Sequence, residues 1–379
     1  MTQELKKFSS VTTVGIAVIL CFASVPQEWG QTPTAFDQLV TQATAARDQG
    51  HVHDAIDLYG RAVQANPKWA DGWWFLGSLN YGAETYAAGR DALTHYLELM
   101  PNAPPALALR GLCEFETGEY TQSLADLQHG IASGAATQPH NEQILRYHIA
   151  LLLTRTGQFD AAIEAYKFFA QKGISNPELF VAIGLAGLRM PLLPKEVPSD
   201  QQGLVSAVGS AGFEFLTGDE RTAAQSFQRL FQQFPAAPSL HYFYGSLLYS
   251  TDPDSSILEF EHELKISPES EMAQVMTPWA LLMRNQPSEA LPYARQAAEK
   301  HPNVAAAQLV LGRALAETGS VPEGIQHLEQ ALKWEPNNLE VHIALAKAYS
   351  RSGRDADAQR ERSLCLKMAK DGTSDIAQR

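Results

Sequence analysis

His51, His53 and Asp54, close together in one short stretch, are the nearest thing in this 379-residue chain to a metal-binding cluster. Alternating imidazoles can grip one ion, but structural zinc wants four ligands, and no cysteine or second histidine pair follows at a suitable spacing. The other nine histidines share no spacing. No serine sits in a Gly-x-Ser-x-Gly turn and no glycine-rich loop ends in Lys-Ser or Lys-Thr, so nucleophilic hydrolysis and phosphate binding both lack their local signatures. Gly184 to Gly187 is too short for a dinucleotide fingerprint and lies inside a helical pattern. Glu259, Glu261 and Glu263 alternate with Phe260 and Leu264 and read as the solvated face of a helix. We therefore expect no enzyme, no cofactor and no metal.

What the chain does repeat is proline. Pro67 and Pro101 are 34 residues apart, and Pro235, Pro268, Pro302 and Pro336 follow at steps of 33, 34 and 34. A proline inside a helix costs about 3 kcal/mol, so prolines at fixed intervals restart an element of fixed length. A period of 34 suits helix, turn, helix. In register with the prolines, Gly77, Gly111, Gly245 and Gly312 take the position where two helices cross most closely, with Ala43, Ala150, Ala211 and Ala346 there in other repeats. Gly50, Gly118, Gly157, Gly218, Gly319 and Gly353 fall between helices, where a left-handed backbone is cheap only for glycine. Second helices are read from Ala55, Tyr59 and Ala62, from Ala162, Tyr166 and Phe169, and from Ala223 and Phe227.

This order, seen in one repeat as Trp73, Leu76, Gly77, Tyr86, Leu97, Leu99 and Pro101, resembles the tetratricopeptide repeat of exported bacterial proteins over residues 36–372. The resemblance implies an all-α fold, a right-handed α-solenoid of stacked helix-turn-helix hairpins. Nine repeats start near Phe36, Ala70, Pro104, Gln143, Leu204, Pro238, Glu271, Ala305 and Leu339, four within 36–176 and five within 204–372. Between them, 177–203 reads as a degenerate hairpin. Gly184 marks its first helix, but Pro191, Pro194 and Pro198 fall where the second should run, so a shortened helix or an irregular loop is expected. Pro278 takes a small-residue position, which predicts a first helix that is kinked or starts late.

The chain carries a formal charge of −13; Glu4, Lys6 and Lys7 give residues 1–23 a charge of +1, which leaves −14 on the rest. Such acidity repels phosphate backbones and anionic lipid, so nucleic acid is not expected as a partner. Lys6 and Lys7 precede an uncharged, mostly apolar stretch over 11–25, followed by Gln27 and Glu28, the order of an export signal. Fifteen residues are short for a spanning helix. Small residues at Cys21 and Ala23 suit cleavage after Ala23, whereas Leu20 stands where a lipoprotein signal places Gly, Ala or Ser. Two readings stay open: a signal peptide at 1–23 and a linker at 24–35 in a periplasmic or secreted protein, or an uncleaved inner-membrane anchor at 11–25, the only case with membrane contact. Of the cysteines beyond it, Cys113 and Cys365 lie in the third and last repeats, too far apart for the roughly 6 Å Cα separation of a disulfide, and read as small buried hydrophobes. Residues 373–379 form a tail.

In proteins with this repeat the concave surface comes mainly from the first helices. Carried over, that places Trp74, Tyr81, Phe115, Tyr147, Phe215, Tyr242, Tyr249 and Trp279 on the inner side, with Arg155, Arg313, Lys347 and Arg351 adding positive charge. Rings give a large contact area at small entropic cost, and cations can pair with a partner's carboxylates. The resemblance thus implies a non-enzymatic scaffold that binds another protein or peptide in its groove, in the cell envelope. The alternative is binding of a carbohydrate or envelope polymer in a secretion or assembly pathway, with the same rings stacked on sugars. The repeated Asn and Lys by which one subset of the family clamps C-terminal carboxylates is missing here.

Overall fold

The computed structural model describes residues 34–377. The expected signal or anchor at 1–25 lies outside the described residues, among which there are nineteen α-helices, one 3-10 turn and no strand. They follow one another as α1 (Ala35–Asp48), α2 (Val52–Ala65), α3 (Ala70–Gly82), α4 (Tyr86–Leu99), α5 (Pro104–Thr117), α6 (Tyr120–Ala132), α7 (Pro139–Arg155), α8 (Phe159–Gln171) and α9 (Pro177–Gly187). Then come α10 (Gln202–Leu216), α11 (Glu220–Gln233), α12 (Leu240–Leu248), α13 (Pro253–Ile266), α14 (Glu271–Met283), α15 (Pro287–Lys300), α16 (Ala305–Glu317), α17 (Val321–Trp334), α18 (Leu339–Arg351) and α19 (Asp355–Ala377). The fold is the expected all-α solenoid of helix-turn-helix hairpins. The chain divides into an N-terminal lobe ending at Phe169 and a C-terminal lobe from Ala170.

The prolines explain the hairpin junctions. Each of the six comes two residues after a second helix ends, as Pro67 follows Ala65 and Pro336 follows Trp334. The residue between is forced out of the helical region by the proline ring: Asn66, Met100, Phe234, Ser267, His301 and Glu335 have φ of −138°, −132°, −130°, −126°, −124° and −126°, with positive ψ. At four of the six junctions the proline carbonyl accepts a hydrogen bond from a side chain six residues on, in the next first helix. Trp73 Nε1 donates to Pro67 (2.9 Å), Gln308 Nε2 to Pro302 (3.1 Å), His342 Nε2 to Pro336 (2.9 Å) and Gln274 Nε2 to Pro268.

Within a hairpin the helices meet as small residue against large. A Cβ added at Gly77 would lie 2.6 Å from Leu93 Cγ, and one at Gly111 2.9 Å from Leu127. At Gly245 it would lie 2.8 Å from Phe260, and at Gly312 2.8 Å from Leu328 and 2.7 Å from the Gly324 carbonyl oxygen. Tyr59, Leu93, Leu127, Tyr166, Phe227, Phe260 and Leu328 hold this large position and are all fully buried, each contributing roughly 1.5–3 kcal/mol of apolar burial. The six turn glycines all have positive φ, from 75° to 103°. Glu84 and Asn285, at φ 60° and 58°, hold the same turn position without glycine's freedom.

The irregular segment departs from this scheme. After α9 the chain forms a loop with a single 3-10 turn at Pro194–Glu196, pinned by buried Leu193 and Val197. With no second helix between them, α9 and α10 touch backbone to backbone: a Cβ at Gly184 would lie 1.9 Å from the Val205 oxygen, and one at Gly209 1.7 Å from that of Phe180. α14 does not start late; it begins at Glu271 and continues through Pro278. Pro278 offers no N–H to the Gln274 carbonyl, and beside it Thr277 Oγ1 donates to Ala273 O at 2.7 Å.

Glu259, Glu261 and Glu263 are not a solvated face. Glu263 is 1% exposed and accepts the backbone N–H groups of Ser239 (2.8 Å) and Tyr242 (3.2 Å), capping the start of α12. Glu261 accepts the Tyr293 hydroxyl at 2.7 Å, and Glu259 lies 2.6 Å from His241 Nδ1. The sequence pattern showed polar residues on a helix but not the helices packed on both sides of it.

Candidate functional site

The 34-residue step puts Tyr249, Met283, Glu317 and Arg351 at one position, at the C-terminal ends of α12, α14, α16 and α18. Trp279, Arg313 and Lys347 share the position one turn earlier. Arg313 Nε donates to Glu317 (3.1 Å) and Nη2 to the Leu282 carbonyl (3.3 Å), with the guanidinium 5.3 Å from the Trp279 ring centre. Arg351 Nη1 donates to the Ala316 carbonyl at 2.9 Å. Both arginines thus reach the last turn of the preceding first helix, where free carbonyls and the negative end of the helix dipole favour a cation. Lys347 is exposed and makes no ion pair among the described residues.

Arg313, Lys347 and Arg351 line a cavity of about 440 Å³ together with Leu282, Met283, Asn285, Glu317, Glu340, Ile343 and Ala344. Three cations face two carboxylates there, in a chain whose overall charge is −13. A neighbouring depression of about 310 Å³ is lined by Tyr249, Ser250, Pro253, Met283 and Arg284. Met283 belongs to both and is 57% exposed. Burial raises the pKa of the Tyr249 phenol, against a hydrogen bond with Trp279 and the charge of Arg313, which lower it.

A family profile for the tetratricopeptide repeat matches residues 40–104 and 279–338, and a second one matches 320–361. The matched stretches contain four of the six junction prolines, Pro67, Pro101, Pro302 and Pro336, and the cationic side chains of the cavity. The chain carries tetratricopeptide repeats. Among solved structures similar to this repeat protein is MamA from Desulfovibrio magneticus RS-1, at 20% identity and TM-score 0.39, over 44% of this chain and 94% of that one. YrrB, described as a TPR protein with an unusual peptide-binding site, is 17% identical over 45% of this chain and 89% of its own, with TM-score 0.37. Yeast Tom70 is 12% identical over 88% of this chain and 84% of its own, with TM-score 0.36. Comparison with curated proteins gives no match.

Of the residues expected on the inner side of this repeat protein, Tyr249, Arg313 and Lys347 line the two depressions, and Trp279 packs beside Arg313 without lining either. Tyr242 does not: it is 4% exposed, packed on Phe260 at 5.6 Å and covered by the Arg189 guanidinium at 5.2 Å. In the N-terminal lobe Trp74 and Tyr81 are half-buried against the cluster of Leu93, Leu97 and Leu107, with Trp74 5.6 Å from Tyr96 and Tyr81 5.7 Å from Tyr86. Burial raises the Tyr81 phenol pKa. Phe115 and Arg155 meet across Tyr120, at 6.1 and 5.0 Å, and Tyr147 packs edge-on to Phe169 at 6.2 Å. Phe215 is half-buried with no ring contact among the described residues. Met283, Glu317 and Glu340 were missed by the sequence reading, although the period itself marks Met283 and Glu317 as equivalents of Tyr249 and Arg351.

Two further expectations change. Cys113 is buried and its thiol is pushed up to about 12, chiefly by burial, but Cys365 is only half-buried. His51, His53 and Asp54 are all exposed, whereas His241 and His262, which share no sequence spacing with other histidines, are brought together with Glu259.

Proposed function

We propose that this protein is a non-enzymatic scaffold that binds an extended, acidic segment of a partner polypeptide along the first helices of its C-terminal lobe. The observation that carries this reading is the cavity where Arg313, Lys347 and Arg351 gather beside the exposed Met283. Lys347 and Arg351 are solvent-accessible donors for carboxylates, while Met283 and Tyr249 offer apolar contact to the intervening side chains. The rings of Trp74, Tyr81 and Tyr147, packed against neighbouring helices, serve the stability of the N-terminal lobe and not binding. The charge and apolar pattern of residues 1–25 supports a reading in which the scaffold is exported and meets its partner outside the cytoplasm.

The test is fluorescence anisotropy with labelled peptides of matched length, acidic and neutral. Lys347→Glu combined with Arg351→Glu is expected to weaken the acidic peptide at least tenfold and to flatten its salt dependence. Glu98→Ala, on an exposed second-helix face, is expected to change nothing. Equal affinity of wild type and double variant, with native melting curves, would remove the cavity from the binding surface.

A further inference from the structure

Two helices of the C-terminal lobe bring a carboxylate and two imidazoles to one place, outside the cationic cavity. His241 lies in the first turn of α12, while Glu259 and His262 are three residues apart on α13 and so share a face. His241 Nδ1 is 2.6 Å from Glu259 Oε2, the rings of His241 and His262 are centred 5.2 Å apart, and one ligand atom from each of the three lies within 4.8 Å of the others. The His241 ring is held in orientation by Phe231, stacked at 3.9 Å and 6°.

We propose that His241, Glu259 and His262 bind one divalent transition-metal ion of the zinc class. Two imidazoles and a carboxylate form a borderline donor set suited to zinc, and three protein ligands leave a coordination position for water or for a donor from a bound partner. Zinc bonds of about 2.0–2.1 Å set the ligand atoms of a tetrahedral site roughly 3.3 Å apart. His262 is exposed, so its ring can swing inward by the roughly 1.5 Å required. Between His241 and Glu259 the ion takes the place of the hydrogen-bonding proton, and those two atoms spread from 2.6 Å by about 0.7 Å.

The same chain contains a comparison. His342 and Glu361 form an equivalent pair, also 2.6 Å apart, but both side chains are almost completely buried, and His342 spends its other nitrogen on the Pro336 carbonyl. One turn after Glu361 stands Leu364, where Glu259 is followed by His262. The His342 pair therefore ties two helices together without access or a third ligand. The His241 pair has both.

Zinc chloride titrated by calorimetry into the chelator-treated full chain is expected to show one ion per chain, and cobalt(II) to give the visible absorption of a four-coordinate site. His262→Ala, an exposed change, is expected to leave the metal-free melting temperature unaltered while weakening zinc at least tenfold, and Glu259→Gln to weaken it similarly. Replacing His51 and His53 by Ala leaves binding intact. Absence of saturable zinc binding in wild type, or unchanged binding in His262→Ala, overturns the assignment.

Discussion

Glu114, on α5, is 6% exposed, and its Oε2 has no hydrogen-bond partner among the described residues. Burial pushes its carboxyl from 4.5 up to about 7; the charges of Asp126 and Glu119 add to the rise, against Arg110 and Arg90. Arg110 is 3.7 Å away but is committed to Asp126, which it holds at 2.5 and 2.9 Å. Because the folded-state value lies above the unfolded one, the folded protein keeps a proton that the unfolded chain releases between pH 4.5 and about 7. The resulting stabilisation is complete below pH 4.5 and is lost as pH rises through about 7. In full the displacement is worth roughly 3 kcal/mol at about 1.36 kcal/mol per tenfold change in proton affinity. Partial solvent access and screening reduce it to about 1.5 kcal/mol. Glu114→Gln is neutral throughout. Urea unfolding of wild type and variant is therefore expected to give nearly equal stabilities at pH 5 and a variant more stable by about 1.5 kcal/mol at pH 8. A difference that stays constant with pH, or a variant less stable at pH 8, would refute the reasoning.

Glu84→Gly is expected to raise the melting temperature by a few degrees, since relief of the left-handed strain at φ 60° outweighs the added chain entropy by about 0.5–1 kcal/mol. Gly312→Ala is expected to lower stability by about 1–3 kcal/mol and more than Gly77→Ala does, because the new methyl meets the Gly324 backbone in the first case and a movable Leu93 side chain in the second. Calorimetric melting of the two variants ranks them directly. Glu263→Ala strips the buried N–H groups of Ser239 and Tyr242 of their acceptor and is expected to lose about 2–4 kcal/mol in denaturant unfolding, with an unchanged curve counting against the cap.

What was legible in the sequence is what repeats at fixed spacing. The prolines after six of the second helices, the positive-φ glycines and the small-against-large contacts sixteen residues apart, such as Gly77 with Leu93 and Gly111 with Leu127, follow from local geometry that recurs from hairpin to hairpin. Tyr242 was misplaced because its burial depends on Arg189, from the chain just after α9, where no second helix follows. Glu259 and Glu263 looked solvated because helix periodicity does not reveal which neighbour approaches the polar side. His241 and His262 lie 21 residues apart on different helices, and only the α12–α13 turn brings them together.

The proline tie makes the length of the C-terminal array editable. Excising residues 303–336 would join Pro302 to Asn337 and set His342 six positions after Pro302, as Gln308 is now. Arg351, whose acceptor Ala316 lies 34 residues after Leu282, would then find the Leu282 carbonyl waiting at the same address. Such a splice shortens the binding surface by one hairpin and leaves each surviving junction chemically as before. No equivalent cut exists across the stretch from Gly184 to Gly209, where two backbones in contact have no interchangeable neighbour. The array thus carries one fixed mark, and its length can be set in whole hairpins on the far side of that mark.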